Sequence, residues 1–534
     1  MKQVDIDNIK NVICLGIGGG DVYYIAKFFF FLGKDIKGFD IRESKKTKDL
    51  EDFGVKIFYK NPSGKLPLAD LVVYSDSLAD SLINKIKEKN RNTFFIEAGE
   101  LKRYLLNLFQ SNDLNSKQIE ALVKCDMFPL FNFDSGEMKL IGITGTDGKT
   151  TVVSMLYHLL SKLSYNPGMI STVGMYIGKD KDDIGFHVTT PSSHSILESL
   201  ELMKQKGCTH AIIECTSQGL YMGRLAGLKF DAVAYTNIKR EHLGYHKSWK
   251  RYVDAKSLLI RENLKERGYA VLNIDDTRGY KYLNRFNGKK LYYSMKKNLT
   301  GVGNLLKARN IGESVKGISF EVSNQKINIP ILGKYNVSNS LAAMSVLKAL
   351  GIDEKDSAPL FQDFPTVEGR MNILQREPFK VIIDFAHTPN GLLNALKSVR
   401  KITGENNKII LVFGCAAKRD EYKRPVMGRY AKRYADITIL TAEDCRSESL
   451  KKINDQIEKG WKEFKIAKKR DLIRFDNDKE NVSVRRRAIQ KALSLAKDGD
   501  TALITGKGHE KSLCFGLVEY PWSDIEETKK INIH

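Results

Sequence analysis

Patterned cysteine is absent. The seven cysteines, Cys14, Cys125, Cys208, Cys215, Cys415, Cys445 and Cys514, form no C-x-x-C and no finger-like grouping with histidine. That excludes a zinc-finger scaffold and a vicinal redox pair, and leaves free thiols of a reducing compartment. Long hydrophobic runs are also missing: the most apolar stretch, Tyr23 to Leu32, is too short to cross a bilayer and contains Lys27. The opening residues, Met1-Lys2-Gln3-Val4-Asp5-Ile6-Asp7, lack the apolar centre of a signal peptide, so a cytoplasmic chain without membrane insertion is expected. No repeat of solenoid period is present. Acidic residues are in deficit, 64 against 86 Lys plus Arg, leaving a formal charge of +22. The excess suits anionic partners: nucleic acid, anionic lipid, or small phosphorylated and carboxylated substrates.

What is there is a globular composition, 42% hydrophobic and 28% charged, spread over 534 residues, too many for one core. Apolar runs that meet a glycine-rich or polar turn and then a helical pattern recur along the chain, which predicts an α/β fold. The rhythm divides it into a Rossmann-like unit over 1–109, a connector over 110–135 with a helix at 116–124, a central unit over 136–332 and a third over 333–534. Strands are expected at 11–15, 36–39, 71–74, 93–96, 140–143, 210–213, 231–235, 270–273, 381–384, 409–413, 437–441 and 502–505, and a helix at 22–32. The lysine- and arginine-rich stretch 451–490 reads as a solvated helical face.

Gly142-Ile143-Thr144-Gly145-Thr146-Asp147-Gly148-Lys149-Thr150-Thr151 follows a strand and opens a helix. Backbone N–H groups there can cradle phosphates at a helix N-terminus, Lys149 can neutralise them, and the Thr150 hydroxyl can meet Mg²⁺. The spacing departs from GxxxxGK[ST], which needs glycine where Ile143 stands. The variant GTxGKTT resembles the ATP loop of the Mur ligase family, and the resemblance extends over nearly the whole chain. It implies a three-domain architecture: a Rossmann-like N-terminal domain binding a UDP-sugar, a P-loop ATPase centre and a Rossmann-like C-terminal domain binding an amino acid. It also implies ATP and Mg²⁺ as cofactors, with Gly145 to Thr151 on the nucleotide.

Glu214 ends an apolar strand, and His242 follows the strand end at Asn237. Carboxylate and imidazole both suit a metal beside a phosphate loop. The family uses these two positions for Mg²⁺ and Lys256 as a carbamylated support for a second ion, so the resemblance implies Lys149, Lys256, Glu214 and His242 as catalytic, with Thr150 completing the metal set. It implies Thr189, Thr190 and Arg224 on the muramoyl peptide, and Asn237, Asn336, Asn339, Arg370, Asp384 and His387 on ATP. Capping and turn formation explain several of these residues locally.

Three later motifs resemble the branch of the family that adds a diamino acid to UDP-N-acetylmuramoyl-L-alanyl-D-glutamate. Gly414 to Asp420 is close to GCGGDRD, Glu443-Asp444-Cys445-Arg446 stands where that branch has DNPR, and Gly506 to Glu510 reproduces GKGHE. They imply Arg419, Asp444, Arg446, Gly506 and Glu510 on the incoming amino acid, with Arg446 favouring meso-diaminopimelate over lysine. Departures occur at Glu443, Asp444 and Cys445, at Gln218 in place of the histidine of SSH, and at Gly244 in place of the aspartate of HLDYH. The N-terminal Gly16-Ile17-Gly18-Gly19-Gly20-Asp21 is instead similar to the GxGGxG of the L-alanine-adding branch, implying Gly16, Gly18 and Gly19 on a pyrophosphate. Asp21 is then a carboxylate close to an anion, and Asp40, about 20 residues on, is a candidate for a ribose hydroxyl.

The expected activity is ATP-dependent amide formation through an acyl phosphate in peptidoglycan precursor synthesis, by a monomer that binds no nucleic acid. The alternatives are an L-lysine-adding or L-alanine-adding ligase, or a non-catalytic muropeptide or nucleotide sensor.

Overall fold

A computed structural model describes residues 4–531 apart from 63–64, 76–77, 79, 92, 179, 183–188, 298–303, 418–419, 477–481 and 517. The chain forms two compact units. One comprises residues 1–136 with two later segments, 190–205 and 216–229; the other comprises 137–189, 206–215 and 230–534.

The first unit is built on five parallel strands in the order Lys56–Tyr59, Asp35–Asp40, Asn11–Leu15, Leu71–Tyr74, Phe94–Glu97. Val12 to Leu15 sit in the middle, each at most 1% exposed, as a continuous apolar run requires when both faces of a parallel sheet are covered. Strand order reverses beside Asn11–Leu15, so the Gly16 turn lies at the carboxyl end of the switch point, where open α/β sheets bind ligands. Helix Gly20–Phe31 starts two residues earlier than the apolar pattern suggests, because Gly20 and Asp21 carry no hydrophobic signal. Helix Ser116–Lys124 falls where expected; Asn115 caps it and Gln118 returns a bond to the Asn115 amide. Leu122, Cys125 and Met127 after it are buried in this unit's core.

The second unit contains a nine-stranded sheet in the order Leu305–Lys307, Lys289–Ser294, Leu264–Asn273, Phe230–Tyr235, Lys139–Thr144, His210–Glu214, Pro167–Ser171, Gly174–Ile177, Asp180–Asp182. The first seven run parallel and the last two turn back as hairpins. Helix Lys149–Lys162 lies on it, and helix Tyr335–Ala349 joins the same core through Leu341, Met344 and Val346. An antiparallel sheet, Arg309–Ser314, Gly317–Val322 and Gln325–Ile329, packs there through Phe320 and Ile327. A six-stranded sheet follows in the order Asn372–Gln375, Lys380–Asp384, Thr501–Thr505, Ile409–Phe413, Ile437–Leu440, Asp471–Arg474, parallel except at its first strand. Among the described residues no helix is long and apolar enough to cross a membrane.

A wholly buried ion pair fixes the far end of this last sheet. Arg485 gives two bonds to Asp524, of 2.7 and 2.6 Å, and two more to the carbonyls of Ala442 and Thr505, while Trp522 donates to Asp524 at 2.8 Å. Both ionic side chains are 0% exposed. Removing one partner of such a pair leaves a buried charge uncompensated. Arg485→Met is therefore expected to lower stability by about 3–5 kcal/mol in urea denaturation, whereas an isolated surface arginine would move it by less than about 1 kcal/mol.

Candidate functional site

Strand Lys139–Thr144 is central in its sheet, so the loop after it emerges between the ends of strands His210–Glu214 and Phe230–Tyr235. Neighbouring strand ends hold that loop. Thr146 N donates to Asn237 O at 2.7 Å, Asp147 N to Asn237 Oδ1 at 3.2 Å, and Thr236 Oγ1 to Asp147 O at 2.6 Å. Gly148 has φ +88°, and a Cβ there would lie 2.3 Å from Asn339 Oδ1. Both the backbone angle and the space require glycine. Lys149 folds back to donate to Thr146 O at 3.0 Å.

Glu214 is 1% exposed, and its carboxylate accepts from Thr150 Oγ1 at 3.1 Å, Ser171 Oγ at 2.9 Å, and the Thr172 amide and hydroxyl at 3.2 and 3.1 Å. Thr172 Oγ1 also donates to Thr189, bringing that residue within one link of the carboxylate. Ser171 and Thr172 were not singled out from the sequence; their signal was the end of a strand adjacent to Glu214.

Lys256 projects from helix Trp249–Arg261 and donates to Gly145 O at 2.7 Å and Thr144 Oγ1 at 3.3 Å. It is 1% exposed, and burial, with the Lys149 charge adding to it, drives its amine well below the ordinary lysine range. Burial also lowers Lys149, against the pull of Glu214 and Asp147. His242 is exposed, at φ +55°, and its ring lies 6.1 Å from that of Tyr252, which in turn meets Thr146.

The third-domain segments approach the same loop. Arg370 donates to Thr150 Oγ1 at 3.1 Å and lies 4.4 Å from the Phe385 ring centre. Thr388 and Asn390 bond the two oxygens of Asp147 at 3.1 and 2.6 Å. Asp384, its carboxyl raised by burial, accepts from the Met371 and Ala386 amides, and its carbonyl accepts from Gly506 N at 3.2 Å. His387 contacts the Phe385 carbonyl and ring, and its own carbonyl accepts from the buried Lys423. Asn336 and Asn339 are buried and bonded to each other at 2.7 Å, which orients Asn339. Thr151 is buried within the helix.

Asp444 and Glu510 share one partner. Lys507, 1% exposed, donates to Asp444 at 3.0 Å and pairs with Glu510. The Asp444 carboxylate also receives the Cys514 amide at 3.0 Å. Arg446 is exposed, at φ +46°, and its backbone is pinned between Cys514 and Gly516. Arg419 lies outside the described residues.

In the first unit, Gly16 N and Ile17 N donate to Phe39 O, and Gly19 N to Gly16 O. Asp40 accepts from Gly18 N at 2.9 Å and Ile41 N at 2.7 Å, so its carboxylate fastens the glycine loop. Thr190 accepts from Thr216 N at 2.9 Å, and its carbonyl accepts from Arg224 at 2.8 Å. Asp21 turns to Lys102, 2.9 Å away. Burial opposes ionisation of Asp21, but Lys102, with Arg224 and Lys46 behind it, holds the carboxyl below its usual range. The expected clash between Asp21 and an anion is thus relieved by three cations around one carboxylate. Lys102 is invisible as a partner in sequence because 81 positions separate the two.

Residues 143–347 match the Mur ligase middle domain, and residues 369–508 match the Mur ligase glutamate ligase domain. The UDP-N-acetylmuramoyl-L-alanyl-D-glutamate–2,6-diaminopimelate ligase of Clostridium botulinum is 35% identical over 385 residues, covering 70% of this chain and 74% of the relative. The protein of the same name from Cytophaga hutchinsonii is 34% identical over 395 residues, 74% and 77% of the two chains. A solved structure with that title has a TM-score of 0.51 at 25% identity, covering 88% of this chain and 92% of the other. The MurF ligase of Thermotoga maritima in complex with ADP shares the fold, with TM-score 0.54, 14% identity and 93% of each chain covered. The chain belongs to the Mur ligase family.

Two substitutions test the electrostatics just described. Lys102→Met leaves Asp21 without its partner and is expected to cost on the order of 3 kcal/mol of stability, most of it recovered in the double variant with Asp21→Gly; urea titration measures both. Lys256 behaves oppositely. Its folded-state amine is lowered, so the unfolded chain binds the extra proton, and stability rises with pH between the depressed folded value and the ordinary lysine value. Lys256→Met should remove that slope and be at least as stable at neutral pH, while phosphate release from ATP falls by at least about 100-fold.

Proposed function

We propose that this chain is an ATP-dependent ligase that joins a diamino acid, meso-diaminopimelate, to UDP-N-acetylmuramoyl-L-alanyl-D-glutamate in the cytoplasm, acting as a monomer. The observation that carries the reading is the pair of bonds that Thr388 and Asn390 donate to the Asp147 carboxylate, which fasten the phosphate loop to the segment between strand Lys380–Asp384 and helix Pro389–Thr403. The names and coverage of the relatives support the same substrates.

A free carboxylate resists attack by an amine. In our reading, a carboxylate oxygen of the acceptor attacks the γ-phosphorus of ATP, the bond to the β-phosphate bridging oxygen breaks, and an acyl phosphate and ADP result. The amine nitrogen then attacks the acyl carbon and phosphate leaves with the electron pair of the broken C–O bond, the amine giving up a proton. Amides of 148–151, at the start of helix Lys149–Lys162, and the Lys149 ammonium hold the phosphates; Arg370, beside Thr150, adds a second cation where charge develops. The Thr150 hydroxyl and Glu214 carboxylate, 3.1 Å apart, fit a hard cation that keeps waters and phosphate oxygens as its other ligands. Mg²⁺ bound there would neutralise charge on the transferring phosphoryl group. Among the described residues no three His, Cys, Asp or Glu side chains cluster for a metal, which agrees with a site completed by substrate. A lowered amine at Lys256 is nucleophilic, as carbamylation needs.

We assign the glycine loop of the first unit, with Gly16, Gly18, Gly19, Thr190 and Arg224, to the UDP-muramoyl acceptor, and Arg419, Asp444, Arg446, Gly506 and Glu510 to the amino acid. Purified protein supplied with ATP, each UDP-muramoyl acceptor and a panel of amino acids should release phosphate fastest with meso-diaminopimelate on the dipeptide acceptor. Release with L-lysine on that acceptor, or with L-alanine on UDP-N-acetylmuramate, would reassign the substrate. ATP binding with no turnover across the panel would make the chain a sensor.

A further inference from the structure

On helices Trp249–Arg261 and Thr277–Leu283 and the turn after them, the second unit carries a row of guanidinium and aromatic groups. Arg278 lies 3.7 Å from the ring centre of Trp249; Trp249 meets Tyr282 at 6.2 Å; Arg285 lies 3.7 Å over Tyr282 and 5.0 Å over Phe286; and Arg261 closes the row 5.9 Å from Phe286. Helix Trp249–Arg261, capped by Ser248, and helix Thr277–Leu283 supply these residues together with the turn that follows. The three arginines are exposed, as are Lys250, Arg251 and Lys281 on the same two helices. None of the six cations forms an ion pair among the described residues. Of the acids nearby in the chain, Asp254 accepts from the Tyr282 hydroxyl, Asp276 accepts from Ile238 N and pairs with Lys239, and Asp275 accepts from Ser294 and the Met295 amide.

Arg424, Arg474 and Arg485 of this unit each face a carboxylate, whereas the three arginines of the row, among the described residues, do not. The geometry of the row narrows the partner. A guanidinium whose Cζ lies 3.7 Å over a ring centre can stack a further flat group on its other side and direct N–H donors to phosphate oxygens. Charged groups over Trp249 and Tyr282 disfavour insertion of these rings into a bilayer, which interfacial helices need. A partner with flat π-faces and regularly spaced phosphates answers both halves of the row.

We propose that this face binds single-stranded nucleic acid, RNA in the first instance, through phosphate contacts to Arg261, Arg278 and Arg285 and base stacking on the guanidinium planes. The partner is one that the motifs of the sequence gave no reason to expect. It does not depend on which amino acid the ligase adds.

The test is fluorescence anisotropy of the full-length protein with a labelled 20-nucleotide oligouridine between 50 and 200 mM salt. Binding is expected to weaken steeply with salt, and the Arg278→Ala/Arg285→Ala double variant to bind at least about tenfold more weakly, with a logarithmic salt slope smaller by about 1.4. Phosphate release by that variant should match the parent, showing an intact fold. If it does not, Arg278→Lys/Arg285→Lys carries the test: the slope should persist while affinity falls about fivefold through lost stacking. Absence of binding at 50 mM salt, binding untouched by both variants, or equal competition by inorganic polyphosphate or phosphatidylglycerol vesicles of matched charge would overturn the proposal.

Discussion

Both carboxylate oxygens of Asp147 are taken by side chains more than 240 positions downstream, Thr388 and Asn390. A loop that cradles phosphates is made of glycine and backbone and has little to hold its own shape. Here its shape is fixed from outside: Asn237 and Thr236 grip it from one neighbouring strand end, Asn339 crowds Gly148, and Asp147 hands the restraint on to the 384–390 segment. From there the Asp384 carbonyl reaches Gly506, and Lys507 carries on to Asp444 and Glu510. The phosphate loop and the Asp444–Lys507–Glu510 group are therefore joined through a short series of bonded segments.

Several inward charges are neutralised within their own neighbourhood, by Lys102 for Asp21, by Lys507 for Asp444, and by Asp524 for Arg485. Lys256 differs from these, since its Nζ meets a carbonyl and a hydroxyl and no carboxylate at bonding distance. Burying an ammonium on such terms is unfavourable, and the group answers by giving up its proton more readily. A site that needs a nucleophilic amine tolerates that cost.

Much of this was legible in the sequence. Strands buried on both faces read as plain apolar runs, so 11–15, 71–74 and 409–413 were placed to the residue. Lys149, Thr150 and Glu214 were singled out because strand ends next to glycine-rich turns are where such folds display ligands, and the structure brings Thr150 and Glu214 within 3.1 Å. The antiparallel sheet over 309–329 and the hairpin strands after Ser171 were missed. They are short, and alternate polar with apolar residues over runs such as Gln325–Ile329 that end before a period is established. Edge strand Lys56–Tyr59 is half-exposed, and its run, Ile57 to Tyr59, is only three residues long. Partnership was the least legible property. Nothing local in the sequence tells Asp21 that Lys102 will arrive beside it, or Asp40 that its oxygens will be taken by the loop amides.

The place of strand Lys139–Thr144 in its sheet also bears on how the chain is made. Both of its neighbours, His210–Glu214 and Phe230–Tyr235, lie later in the sequence. At the usual pace of synthesis the last of them follows by about 5–20 s. For that interval a strand buried from Leu140 to Thr144 in the finished fold, the one that ends in the phosphate loop, has two unpaired edges on the ribosome. The residues that make the finished site rigid are the ones most dependent, during synthesis, on whatever shields the nascent chain from its neighbours.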